Sequence, residues 1–139
     1  MRNLWKNLSK RARIISLIIV GVVIAALVFG LFYLTVVQNY KKDVAAIQVR
    51  DVDLSAVEDG EYFGDCDVGL VRASVRVVVL NHLITEIELL EHFNGRGGPA
   101  ESLPASMIRE QRIDVDAVSG ATSSSKVIQE AVYNALTGT

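Results

Sequence analysis

Val71-Arg72-Ala73-Ser74-Val75-Arg76-Val77-Val78-Val79-Leu80 is followed by Asn81-His82 and then by Leu83-Ile84-Thr85-Glu86-Ile87-Glu88-Leu89-Leu90-Glu91. In the first run Val71, Ala73, Val75, Val77 and Val79 alternate with Arg72, Ser74, Arg76 and Val78. Successive side chains of a strand point to opposite faces, so a period of two predicts a strand with one buried face. The second run resumes the alternation, with Leu83, Thr85, Ile87 and Leu89 opposite Glu86 and Glu88. Two such runs around a two-residue turn read as an antiparallel hairpin.

Working outward, Asp59-Gly60 and Phe63-Gly64 punctuate the chain before the hairpin as turns or a bulge, with a short strand at Tyr62-Phe63. After the hairpin, Asn94-Gly95-Arg96-Gly97-Gly98-Pro99 is a loop, because its glycines and proline suit no regular element. Ser102 to Gln111 reads as a short helix, with Ser102 as a candidate N-cap and Pro104 tolerable only in the first turn. Ile113 to Val118 reads as extended and Ser119 to Thr122 as a loop. Serines 123, 124 and 125 are N-cap candidates for a last helix. Its Val127, Ile128, Ala131, Val132, Ala135 and Leu136 fall on one stripe at helical spacing, and Gly138 ends it. The expectation is a small α+β domain, an antiparallel sheet packed by C-terminal helices, with the last helix meeting the Val71–Val79 face.

Upstream lies a segment of another kind. Ile14 to Val37 is 24 residues without a charge. At ~1.5 Å per residue such a helix reaches ~36 Å, more than the ~30 Å hydrocarbon core of a bilayer. Tyr33 and Tyr40 stand near its end, where amphipathic rings favour the membrane interface. Arg2, Lys6, Lys10, Arg11 and Arg13 precede the run, against Lys41 and Lys42 just after it. That bias predicts a single-pass anchor in the cell membrane, with the N-terminus cytoplasmic and the domain extracytoplasmic. The apolar core of a cleaved signal peptide is shorter, and Val36-Val37-Gln38-Asn39 offers no small-residue cleavage site. The expected division is a basic tail over 1–13, the anchor over 14–37, a juxtamembrane linker or short helix over 38–58, and the domain over 59–139.

Charge and cysteine exclude several function classes. All 16 acids follow the apolar run, against nine Lys and Arg, a balance of -7 that argues against nucleic-acid binding. Cys66 is alone, so there is no internal disulfide and no cysteine-based metal site. No metal ligand set is assigned.

Asp116-Ala117-Val118-Ser119-Gly120-Ala121-Thr122 leads from the extended segment into the last helix. Gly120 permits a tight turn and a close backbone approach. The first turn of the helix leaves N–H groups unpaired, and its positive dipole end attracts anions. Five hydroxyls gather there, on Ser119, Thr122, Ser123, Ser124 and Ser125. A phosphate resting there, with one hydroxyl esterified to it, fits these residues. An ordinary capped helix with a flexible entry loop fits them too.

The segment resembles the attachment motif of the FMN-binding domain family, which includes flavin-carrying subunits of sodium-pumping NADH:quinone oxidoreductases and their ferredoxin-linked relatives. The family pattern is Asp, two variable residues, Ser or Thr, Gly, Ala, then Thr or Ser, and Asp116, Ser119, Gly120, Ala121 and Thr122 match it at every fixed position. Asp59 to Gly64, the hairpin through His92, Asn94 to Gly97 and the final helix also resemble the family, over about residues 59 to 136. The domain is smaller than the respiratory-pump subunits and lacks their insertions, so membership of such a pump does not follow.

The resemblance implies a flavin transferase that moves FMN from FAD onto Thr122 as a phosphodiester. The implied cofactor-binding set is Thr122 with Asp116, Ser119, Gly120, Ala121 and Ser123, the position of Ser123 being one that varies in the family. To these are added His92 and the loop Asn94, Gly95, Arg96 and Gly97. Asp116 would serve recognition by the transferase or order the loop. His92 would hydrogen-bond flavin or phosphate, or be structural. Arg96 suits a phosphate or the ring's anionic edge, or is a solvated loop residue. No catalytic side chain is assigned. The expected function is a membrane-anchored, extracytoplasmic electron carrier with membrane or extracytoplasmic redox proteins as partners. An extracytoplasmic flavin reductase ranks lower, because no substrate pocket is readable in the sequence, and a non-redox tethered interaction module is the third class.

Overall fold

The computed structural model describes residues 10–138; Arg2 and Lys6 of the basic tail lie outside the described residues. The chain divides into two compact units, one ending at Asn39 and one beginning at Tyr40.

Helix α1, Lys10–Ala46, supplies the first unit and runs on into the second. It is long and apolar enough to cross a membrane, and none of its residues is buried. Its apolar side chains are exposed among the described residues, Phe29 at 70 %.

The second unit contains strands β1 (Gly60–Asp67), β2 (Arg72–Leu80) and β3 (Leu83–Phe93), then helices α2 (Leu103–Glu110) and α3 (Thr122–Thr137). The sheet is antiparallel in the order β1-β2-β3. Helices α3 and α2 pack on it, α3 against β1 and β2 and α2 against β3, which is the expected α+β arrangement. Ala73, Val75, Val77 and Val79 are at most 1 % exposed, and they face Val127, Ile128, Ala131 and Val132, each 0 % exposed. Burying each Val or Ile side chain is worth ~1.5–3 kcal/mol, so this seam is the main source of stability.

The hairpin forms as its sequence predicts, but its second strand has a different phase. Asn81 and His82 both adopt positive φ, 52° and 59°, the geometry of a type I′ turn whose twist matches the flanking strands. The His82 N–H donates to Asp59 Oδ1 at 3.2 Å, and its Nδ1 lies 2.8 Å from the Val57 carbonyl. On β3 the buried residues are Ile84 and Ile87, while Leu83 is 51 % exposed. The register shifts against Ser74/Val75 and Val78/Val79, leaving Thr85 and Leu90 unpaired. Each bulge inserts one residue and swaps the faces, so strict alternation from Leu83 fails.

Upstream, Phe63-Gly64 is no turn: β1 runs straight through it. A Cβ on Gly64 would lie 2.3 Å from the Ala135 backbone N and 2.4 Å from the Ala131 carbonyl oxygen. The glycine is there because α3 crosses the strand at that point, not because the chain bends. Ser102 stands at the N-cap position of α2, as expected, but makes no capping hydrogen bond; its hydroxyl donates to the Pro99 carbonyl at 2.9 Å, at the end of a 3-10 turn over Gly98–Ser102. Segment 113–118 is extended but joins no sheet; the buried Gln129 amide donates to the carbonyls of Ile113 and Val115 at 3.1 and 2.8 Å.

Candidate functional site

The residue that caps α3 is Ala121, not one of the serines, and it offers no side-chain hydrogen bond. The reason is visible in Ser125. Its hydroxyl accepts from the Val118 N–H at 3.0 Å and donates to the Ala121 carbonyl at 2.9 Å. That tie folds the Ser119-Gly120 turn back over the helix, with Gly120 at φ 79°. The helix therefore starts at Thr122, with the serines inside its first turn and the first N–H groups uncapped by any side chain.

The five hydroxyls are consequently unequal. Ser125 and Ser124 are buried, at 0 % and 2 % exposure. Ser123 is half-buried, and Ser119 and Thr122 are exposed. Of these two exposed residues, Thr122 lines a cleft and Ser119 does not. The cleft has a volume of about 650 Å³, within the range of small-molecule sites. Gly120, Ala121, Thr122, Ser123 and Ser124 form one part of its wall, and Asn94, Gly95, Arg96 and Gly97 another. Leu70, Val71, Phe93 and Tyr40 add apolar surface.

The glycine loop lies against the first turn of α3 at Gly97. A Cβ on Gly97 would fall 1.8 Å from Ser124 Oγ and 2.6 Å from Ser124 Cβ. Only a residue without a side chain lets the loop settle on the first turn of the helix. Arg96 is exposed in the cleft and forms no ion pair among the described residues, so its guanidinium is available to an anion.

His92 is placed differently from its neighbours. Its side chain is 3 % exposed, and it does not line the cleft. Nδ1 lies 3.1 Å from Glu101 Oε1 and 3.1 Å from Asn94 Nδ2. Asn94 Nδ2 also donates to the His92 carbonyl at 3.3 Å. Nε2 is buried without a partner among the described residues. His92 thus supports the loop from below, while Asn94 stands in the wall. Asp116 is exposed at the approach to the turn and is not part of the cleft lining. Lys126, near the same helix end, donates to the Ile47 carbonyl at 3.4 Å, so it turns to the chain and not to the cleft.

The two polar loops of the wall are legible in the sequence, and the apolar part is not. Phe93 is 55 % exposed and Leu70 38 %. The available signal was an aromatic residue at the last position of the hairpin, directly before the glycine loop. Among the described residues no cluster of His, Cys, Asp and Glu is arranged to hold a metal ion.

The residues fit FMN by chemistry. A nucleotide phosphate suits uncapped N–H groups and an exposed arginine, and a flat heteroaromatic ring suits Leu70 and Phe93. The family comparison agrees: residues 69–137 match the model of a family described as FMN-binding domain. A search of curated proteins found no match.

Proposed function

Because this chain belongs, through residues 69–137, to the FMN-binding domain family, we propose that it is a membrane-anchored, extracytoplasmic electron-transfer protein carrying FMN covalently on Thr122. The observation that carries this reading is the sorting of hydroxyls at the start of α3. Ser124 and Ser125 are buried, Ser123 is half-buried and Ser119 lies off the cleft, which leaves Thr122 as the exposed hydroxyl lining it. No hydrogen bond of the Thr122 hydroxyl occurs among the described residues, so esterification sacrifices none.

Attachment is a phosphoryl transfer. Thr122 Oγ1 bonds to the phosphorus of the FMN half of FAD. The bond from that phosphorus to the bridging oxygen breaks, AMP leaves with that oxygen, and the hydroxyl proton passes to the flavin transferase. The uncapped amides of the first turn and Arg96 hold the phosphate charge. Asp116, exposed at the first position of the motif, is open to recognition by the transferase. When bound, FMN supplies one- and two-electron transfer; the protein supplies its place and its surroundings. A tether prevents loss by dilution, which favours a fixed relay over a catalyst that exchanges its cofactor. The anchor and the charge bias before it support the membrane location and the outward-facing domain.

Mass spectrometry of protein from a flavinylating host is expected to find an FMN-phosphate adduct on the peptide holding Thr122. A Thr122→Ala protein that retains covalent flavin overturns the assignment. A yellow colour that disappears on acid precipitation of the wild type points to FMN held without the covalent link.

A further inference from the structure

Resting on the reading of the cleft as the FMN site, we propose that Tyr40 is a cofactor-contacting residue that lays its ring against the isoalloxazine and completes a site begun by residues 69–137. Sequence position alone assigns Tyr40 to a membrane interface. It nevertheless lines the cleft, is half-buried, and packs against the core of the second unit. The wall sorts by chemistry into a polar part, from the glycine loop and the start of α3, and an apolar part of Tyr40, Leu70, Val71 and Phe93. FMN sorts the same way, into a phosphate and a flat aromatic ring. The phosphate has its partners at Thr122 and Arg96, so the ring is left to the apolar part. Tyr40 and Phe93 are its two aromatic members, and aromatic faces contribute beyond the area they bury.

Tyr40 is also held in place. Its helix continues to Ala46, and the strap that follows is tied down within the same unit. Arg50 pairs with Glu130 at 3.1 Å and lies 4.0 Å over the Tyr133 ring. Asp51 Oδ1 accepts from the N–H groups of Ile113 and Asp114 at 2.8 and 2.9 Å. The Ile47 carbonyl accepts from Lys126 Nζ. Segment 47–51 is thereby fastened to α3 and to the approach to the attachment turn. A positioned aromatic ring spends little entropy on contact with a ligand, whereas a ring on a loose linker would spend more.

The test uses the full-length chain in detergent, made without a flavin transferase and titrated with FMN. Tyr40→Leu keeps apolar packing and removes the aromatic face. It is expected to weaken FMN binding about tenfold. It is also expected to brighten the bound flavin, whose emission a stacked tyrosine quenches. Tyr40→Phe is expected to restore affinity to within about twofold of wild type. Wild-type affinity and emission in Tyr40→Leu overturn the proposal. Should Tyr40→Leu melt early, Tyr40→Trp decides: its larger face is expected to deepen the quenching, and unchanged emission overturns the contact. A wild-type chain that binds no FMN, either free or covalently, sinks the reading of the cleft itself, and the Tyr40 contact with it.

Discussion

From Val127 to Leu136, α3 presents the sheet with six apolar side chains that are all at most 7 % exposed. In its first turn, Thr122–Ser125, the same helix presents only hydroxyls, and Thr122 stands exposed in the cleft. One end is a packing surface and the other a binding surface, joined by a rigid rod of 16 residues. The difference teaches how a small domain positions a site: the core holds the far end of the helix, and the near end inherits its precision. Each end is seated by one glycine on a neighbouring segment, Gly64 on β1 and Gly97 in the loop. The two contacts differ in what they meet. Gly64 faces backbone atoms, which cannot move unless α3 moves; Gly97 faces a serine side chain.

The largest effect is therefore expected at the packing end. Gly64→Ala puts a Cβ within 2.4 Å of two backbone atoms of α3, and no rotamer change relieves it. The expected cost is about 3 kcal/mol, the upper range for overpacking, read as a large fall in melting temperature. A melt within a degree or two of wild type would mean that α3 does not cross β1 so closely. Gly97→Ala is expected to cost less, about 1–2 kcal/mol, because Ser124 Oγ can rotate although its Cβ at 2.6 Å cannot. Its main effect is on function: the loop lifts from the helix and the cleft opens. FMN affinity should fall further than stability does. Equal loss of both would erase the distinction between the two ends of α3.

The packing end was legible because period carries it. The valines of β2 and the stripe from Val127 to Leu136 follow spacings of two and 3.6, and burial enforces those spacings. The phase of β3 was not legible, because the bulges at Thr85 and Leu90 are set by pairing to β2 and by the I′ turn, which local composition does not encode. Gly64 looked like a bend because a strand glycine and a turn glycine are the same letter; only the passing helix distinguishes them. At the site, the motif was legible as a string of small polar residues. Which hydroxyl faces out was set by the Ser125 tie to Val118 and Ala121, a tertiary detail. The apolar wall was hidden for the same reason, since Tyr40, Leu70 and Phe93 come from three separate parts of the chain. His92 reads from the sequence as a ligand or as a structural residue; its burial was not legible, because β3's second bulge turns it to the core face opposite Ala73.

The smallest effect belongs to the strand beneath the middle of α3. Cys66 lies on β1 opposite Ala73, two residues from Gly64. Burial pushes its thiol up to about 11, and the negative charges of Glu130, Asp65 and Asp67 add to the rise. Below pH 9 both folded and unfolded chains keep the proton, so the thiol contributes no pH dependence there. Between about 9 and 11 the unfolded chain releases it while the folded chain retains it, so ionisation favours unfolding and stability falls as pH rises. Because the group is only half-buried, solvent screening should hold the loss to about 1 kcal/mol or less. Lysines and tyrosines titrate in the same window, so the readout is the difference between wild type and Cys66→Ala across that range. This difference is expected to shift against the wild type by the upper end of the window. A flat difference would show that the thiol ionises as readily in the fold as out of it, and that the ground under α3 is wetter than its packing end requires.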